Sequence, residues 1–433
     1  MTCNHKKQRF KIGSLEKNLA GLNLKLSKNR EDSNLMEGHS YMSERALSLK
    51  SSMTLAITAR AKALKKEGRD ICSLSAGEPD FNTPDFIVNA ACSALREGIT
   101  RYGPAAGDPE LREAIANKMR TSNNIETKSS EVLITNGGKQ AIFNLFQVII
   151  NPGDEVLIPA PYWLSYPEMV KLAGGIPIAI ESSAEDNFDI NIDLLESKIN
   201  DKTKLIIINS PGNPTGRIID QKTLESIAVI LRNNPHILLM SDEIYEYLLA
   251  PKQVHISPGA IAPDLKERIF IVNGFAKAWA MTGWRVGYLI GNQQVINSAS
   301  ALQSQSTSNV CSFAQKGALA ALNEHSHCVE DMVKQYDLRR KVLVEELRKI
   351  QGIDLIEPQG AFYAFPKLPQ GSTDSITFCK RALEETGLAV IPGKPFGSDQ
   401  HIRVSCAAST KTIKEGISRL RHFIYSSQKE YLF

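Results

Sequence analysis

Nothing in the 433 residues is apolar enough for long enough to cross a bilayer as a helix; the densest patch, Ala141 to Ile150, is interrupted by Asn144 and Gln147. The N-terminus has no apolar core of the kind a secretory signal needs. Neither sign of charge is in excess. The 51 Lys and Arg against 47 Asp and Glu leave a formal +4, too little at this size to argue for a nucleic-acid partner. Close cysteine pairs are missing too. Cys3, Cys72, Cys92, Cys311, Cys328, Cys379 and Cys406 are scattered and odd in number, which reads as free thiols in a reducing, cytoplasmic compartment. His325-Ser-His327-Cys328 reads as polar loop residues between helices, and no metal is expected. Internal repeats and low-complexity tracts are absent. What remains is an ordinary globular composition, 42% hydrophobic and 23% charged.

Residues 1–42 differ from the rest. They are rich in Lys, Arg, Asn and Ser, with only a weak Leu pattern, and are expected to be a disordered tail. Their acidic residues, Glu16, Glu31, Asp32 and Glu37, count against a transit peptide. Helices are expected over 59–68, over 84–98 with Thr83 as its N-cap, and over 111–119. From Glu131 the pattern becomes strand, turn, helix. Strands are read at 132–135, 155–158, 176–180, 205–209, 237–240, 269–272 and 286–290. Most are continuous apolar runs, as strands buried on both faces of a largely parallel sheet must be. A long helix at 333–350, strands at 360–365, 388–391 and 402–405, and a closing helix at 412–426 read as a smaller α+β domain. The domain reading is therefore a tail at 1–42, an N-terminal segment at 43–87 joining the small domain, a large domain at 88–300 and a small domain at 301–433.

The chemistry gathers where these strands end. Residues 269–287 run IFIVNGFAKAWAMTGWRVG. One lysine, Lys277, stands among small and apolar residues, and Arg285 follows eight positions later. A desolvated lysine has a lowered pKa and suits attack on a carbonyl to form a Schiff base; an arginine suits a phosphate. Asn136-Gly137-Gly138-Lys139-Gln140 joins a strand to a helix and can bring backbone N–H groups to an anion. Asp242 ends a buried strand, where open α/β sheets bind ligands, and a carboxylate there can keep a pyridine nitrogen protonated. Tyr245 and Asn213 lie within reach of a ring oxygen, and Trp163 is the candidate to stack on the ring. Arg403 sits inside a short strand, costly to bury without an anion. Together these are the groups a pyridoxal 5'-phosphate site requires.

Ala76-Gly-Glu-Pro-Asp, Arg101-Tyr-Gly-Pro, Gly137-Gly-Lys-Gln, Tyr162-Trp-Leu-Ser-Tyr, Ser210-Pro-Gly-Asn-Pro-Thr-Gly, Ser241-Asp-Glu-Ile-Tyr and Lys277 through Arg285 occur in one order from Ser43 to the C-terminus. In these motifs the chain resembles the class I aminotransferases of the type I pyridoxal-phosphate fold, in the branch of bacterial-type aspartate and prephenate aminotransferases. The resemblance implies an α/β fold: a large domain with a mostly parallel seven-stranded sheet, and a smaller α+β domain. It implies that Lys277 carries the cofactor and moves the substrate proton. It also implies that Asp242 pairs with the ring nitrogen, Tyr245 and Asn213 bind the ring oxygen, and Trp163 stacks. Gly138, Lys139 and Arg285 would hold the phosphate. Tyr102 would reach the phosphate of a neighbouring subunit, which implies a homodimer with shared sites. Arg403 would bind the substrate α-carboxylate beside Gly77. Many relatives have serine before the lysine; Ala276 here implies a slightly weaker phosphate contact.

In this branch the lysine of the Gly-Gly-Lys-Gln turn meets the distal carboxylate of a dicarboxylic substrate. Lys139 thus points to aspartate aminotransferase activity, exchange of an amino group between L-aspartate and 2-oxoglutarate. Prephenate aminotransferases of the branch add a threonine near the N-terminal helix, a place Thr54 occupies, so a bifunctional enzyme is the alternative. A transferase for alanine, aromatic or branched substrates fits less well with Lys139. A transcription regulator would need a helix-turn-helix module before Ser43, where the tail is too short.

Overall fold

The structure, a computed structural model, describes residues 41–49, 53–324 and 327–430. The tail expected over 1–42 falls almost wholly outside them, as do His325 and Ser326. The chain divides into two units, residues 1–49 and 50–433. In the first, the helical turn Glu44–Ser48 is capped by Ser43, whose hydroxyl accepts the N–H of Ala46 at 3.2 Å.

The second unit is built on a seven-stranded sheet: β1 (Val132–Thr135), β2 (Glu155–Pro159), β3 (Ile176–Ile180), β4 (Thr203–Asn209), β5 (Leu238–Asp242), β6 (Ile269–Gly274) and β7 (Gly287–Ile290), in the order β1-β7-β6-β5-β4-β2-β3. β7 runs antiparallel to β1 and β6; every other neighbouring pair is parallel. The apolar runs explain themselves in β4. Leu205 and Ile207 enter one core with Phe146, Met169 and Met240, while Ile206 and Ile208 enter another with Leu224, Ile227 and Leu231. Both faces are dry, so no polar alternation is tolerated. Each such side chain contributes roughly 1.5–3 kcal/mol when fully buried.

A third core holds a three-stranded antiparallel sheet of β8 (Tyr363–Ala364), β9 (Ile391–Pro392) and β10 (Ile402–Ser405), in the order β9-β10-β8. The helices Cys328–Arg348, Ser375–Thr386 and Thr410–Glu430 pack into this core, and the early helix Met53–Lys66 adds Ile57, Ala61 and Leu64. Cys72–Ser73 pairs in parallel with Leu388–Ala389.

Three local expectations change. The strand read over 360–365 is confined to Tyr363–Ala364, because Ala361 takes φ +53° and the Gln359 and Gly360 N–H groups both turn to Gly216 O at 2.8 Å. The run at 388–391 splits into two short strands that belong to different sheets. Thr83 is not an N-cap. Pro84 precedes the helix Asp85–Arg96, and the Thr83 hydroxyl is spent elsewhere, donating to Ala280 O at 2.8 Å and accepting from Trp284 Nε1 at 2.9 Å.

Candidate active site

β4 and β5 end in register, Asn209 opposite Asp242, and Asp242 lies opposite Val272 of β6. The parallel strands thus open at one edge, and the chain leaving each of them supplies the polar residues there. Asn209 Nδ2 donates to the Asp242 carbonyl at 2.9 Å, locking the two strand ends. The Asp242 side chain is buried. Its Oδ2 accepts the Tyr166 hydroxyl at 2.6 Å and its Oδ1 the Ile244 N–H at 3.3 Å. Burial pushes this carboxyl up to about 6, against the pull of Tyr166. No helix starts at Asp242; residues 244–247 form a turn that sends Tyr245 into the third core.

β6 ends at Gly274, and three residues later Lys277 Nζ donates to Gly77 O at 2.5 Å. The ammonium lies 5.6 Å from the ring centres of both Tyr245 and Phe362. Desolvation, helped by the like charge of Arg403, lowers its pKa to about 8. A sizeable fraction of this amine is therefore neutral near physiological pH, as a nucleophile or proton carrier requires.

Arg403 comes from β10 and is buried. Nη1 donates to Asn213 Oδ1 at 3.0 Å and Nη2 to Ser75 O at 3.1 Å. Its guanidinium carbon stands 4.4 Å from the centre of the Tyr363 ring and 5.4 Å from that of Phe396. Nε is buried with no hydrogen-bond partner, and none of these hydrogen bonds goes to a carboxylate. A buried cation in that state is prepared for an anion from outside. Gly77 closes this corner: a Cβ there would stand 3.7 Å from the Tyr363 hydroxyl and 3.9 Å from Arg403 Nη2.

A second anion cradle lies where β1 gives way to the helix Gly138–Ile149. Gly137 takes φ +79°, and a Cβ there would stand 2.6 Å from Arg285 Nη2. Arg285 itself holds φ +58° and donates to Asn136 O at 3.2 Å and Thr282 O at 2.9 Å. A Cβ on Gly287 would collide with the backbone nitrogen of Gly138, so β7 presses directly on this turn. The N–H groups of Gly138 and Lys139 head the helix, where backbone donors have no intrahelical acceptor. Lys139 is exposed as a residue, yet its Nζ folds against the Trp163 ring, 4.9 Å from the centre, and donates to Ser165 Oγ at 3.2 Å. Partial desolvation and then Arg285 lower its pKa. Trp163 meets Tyr166 edge-on at 5.3 Å.

Two sequence-derived candidates stand apart. Tyr102 is 91% exposed and takes no part in these contacts. Thr54 belongs to the helix Met53–Lys66, but its side chain lies outside the described residues. Three residues emerge only now: Tyr166 on Asp242, Ser165 on Lys139, and Tyr363, whose hydroxyl meets that of Tyr245 at 2.9 Å. The aromatic cluster at 162–166 was the one hint of the first two.

Behind Asp242, Glu243, Glu246 and His255 lie close enough to hold a cation among the described residues. Protein groups serve the two carboxylates in part, while Glu243 Oε2 and both ring nitrogens of His255 make no hydrogen bond. Lys118 Nζ, Asn273 and Asn123 all donate to Glu246; Ser257 donates to Glu243 at 2.6 Å, and His255 Nε2 stands 3.3 Å from it.

Residues 69–420 match the family model described as aminotransferase class I and II. The chain belongs to that family. Aspartate aminotransferase of Bacillus sp. (strain YM-2) is 44% identical over 388 residues, covering 88% of this chain and 99% of the relative. Aspartate/prephenate aminotransferase of Nitrosomonas europaea is 40% identical over 390 residues, covering 88% and 98%. The solved structure of Thermus thermophilus aspartate aminotransferase with maleate superimposes with a TM-score of 0.85 at 41% identity, covering 90% of this chain and all of that one. The chain is thus an aminotransferase of the α/β type I fold, and the family implies pyridoxal phosphate. The residues suit that cofactor: a glycine-lined cradle beside Arg285, a buried carboxylate at a strand end and a lysine of lowered pKa.

Proposed function

We propose that this chain is an aspartate aminotransferase, exchanging the amino group between L-aspartate and 2-oxoglutarate with pyridoxal 5'-phosphate held at Lys277. The carrying observation is Lys277 itself. Its ammonium is shared between Gly77 O and two aromatic rings, and its charge is weakened by burial and by Arg403. When bound, the cofactor supplies an electron sink for the negative charge that develops at the substrate Cα. The chain's own residues do the rest. Lys277 Nζ, neutral in part, takes the Cα proton and returns it. Asp242, fixed through Oδ2 by Tyr166, would keep the ring-nitrogen proton in place; a cationic partner there would draw the carboxyl below its ligand-free value. Asn213 and Tyr245 would hold the ring oxygen, Trp163 the ring face, and Arg285 with the N–H groups of Gly138 and Lys139 the phosphate. Arg403 takes the α-carboxylate beside Gly77, and Lys139 the distal carboxylate.

In this reading residues 88–300 hold the cofactor and residues 301–433 carry Arg403. Tyr102, so fully exposed, is assigned to the phosphate of a second subunit, making the enzyme a homodimer with shared sites. The scattered free thiols fit a cytoplasmic enzyme, and no helix among the described residues is long and apolar enough to cross a membrane.

The test is spectroscopic. Aspartate should abolish the absorbance band of bound pyridoxal phosphate and 2-oxoglutarate should restore it. Lys277→Ala should lose at least about 10³-fold in turnover, as expected for a group that is both anchor and acid–base. Activity left largely intact in that variant sinks the assignment. The cofactor-free chain should capture pyridoxal phosphate faster as pH rises through about 8, because the attacking amine is the neutral form of a lysine whose pKa is lowered to about 8. The naming of the Nitrosomonas europaea relative favours a second reading, in which prephenate also serves as acceptor. Restoration of the band by prephenate would decide for it.

A further inference from the structure

We propose that Tyr363 is a positioning residue that joins Arg403 to Tyr245 and makes Tyr245 a hydrogen-bond donor into the site. This rests on the reading above, in which Tyr245 faces the ring oxygen of the cofactor and Arg403 the substrate α-carboxylate.

The connection follows from the small sheet. β8 pairs with β10, with Tyr363 opposite Ser405 and Ala364 opposite Val404. Arg403 and Ser405 share a face, so Arg403 is the diagonal neighbour of Tyr363, within reach of a long side chain. Its guanidinium carbon stands 4.4 Å from the Tyr363 ring centre. From the far end of that ring the hydroxyl reaches the Tyr245 hydroxyl at 2.9 Å. Arg403 also donates to Asn213 at 3.0 Å. The two residues assigned to the ring oxygen are therefore both tied to the arginine assigned to the carboxylate, one directly and the other through Tyr363.

The direction of the phenol–phenol bond can be argued. Two hydroxyls carry two protons, and only one is used between them. If Tyr245 donated, the Tyr363 proton would be left toward Gly77 and Arg403. That corner offers a cation, and the Gly77 carbonyl is already taken by Lys277. If Tyr363 donates, the Tyr245 proton is free to point into the site. The groups acting on Tyr363 are Arg403 from β10, Tyr245 after β5, Cys406, and Glu78 of the loop after Cys72–Ser73. Burial raises its phenol, and the Arg403 charge opposes that rise. A Phe would keep the platform under Arg403 and lose only this hydrogen bond.

The test uses the cofactor-loaded enzyme and the pH midpoint at which the absorbance band of bound pyridoxal phosphate shifts. Weaker donation to the ring oxygen leaves it more basic, so Tyr363→Phe should raise that midpoint by about half a unit to one unit and lower kcat roughly 3- to 10-fold. KM should stay within about twofold, because the ring under Arg403 remains. Tyr363→Leu removes the ring as well and should raise KM about tenfold for every amino donor, whatever its side chain. In a Tyr245→Phe background the same Tyr363→Phe change should leave the midpoint where it is, because the group it acts through is gone. An unchanged midpoint in a Tyr363→Phe enzyme that binds cofactor stoichiometrically overturns the proposal. So does an equal shift in the Tyr245→Phe background. A wild-type enzyme with no cofactor band would instead sink the site reading on which this one rests.

Discussion

Arg403 and Lys139 are both cations whose hydrogen bonds go to no carboxylate, yet they are held in opposite ways. Arg403 is 3% exposed, fixed in a strand, stacked over Tyr363 and hydrogen-bonded to Asn213 and Ser75. Lys139 stands in the first turn of a helix, exposed, restrained by one hydroxyl and one indole face. The difference fits a division of labour. A planar, preorganised and desolvated fork recognises one geometry well, which suits the carboxylate that every amino acid carries. A point charge on a flexible stem tolerates different lengths, which suits a distal group that changes between aspartate and glutamate.

Three substitutions test that division. Arg403→Lys should have the largest effect, lowering kcat/KM for every amino acid by roughly 10²–10³-fold, since about 3–4 kcal/mol of paired charge-assisted hydrogen bonding is lost. Steady-state kinetics on aspartate, glutamate and alanine checks it; a loss confined to dicarboxylates would contradict the assignment of the fixed end. Lys139→Met should be milder and selective. A fall of about 10- to 100-fold is expected for aspartate and glutamate, with alanine changed by no more than about threefold, because alanine has no distal carboxylate to lose. An equal loss for alanine would move Lys139 from the substrate to the cofactor. Ser165→Ala should have the smallest effect, about two- to threefold in KM for dicarboxylates alone, since it removes one neutral restraint on an ammonium that the Trp163 ring still holds. A larger change in kcat would mean that Ser165 does more than steady the lysine.

Legibility differed among the residues of the site for a physical reason. The seven strands were readable within about two residues because burial on both faces forces unbroken apolar runs. Lys277, Asp242 and Asn213 were readable because each stands just beyond such a run. Tyr166 and Tyr363 were not, because a tyrosine among apolar residues reads as core. Only their partners, 76 residues away at Asp242 and 118 away at Tyr245, give them a role. Thr83 was misread because Thr before a helix is a sound N-cap signal, and nothing local reveals that Ala280 and Trp284 claim its hydroxyl.

The α/β layering, the side of the sheet that carries chemistry and the residue types that gather there follow from local sequence, since strand periodicity and turn chemistry act over a few neighbours. Tertiary structure alone decided which of those residues meet. Lys277 reaches a carbonyl 200 residues away at Gly77, and Arg403 an amide 190 residues away at Asn213. It also decided their charge states. The lowered lysine and the raised Asp242 carboxyl come chiefly from lost water, and that loss exists only in the folded chain.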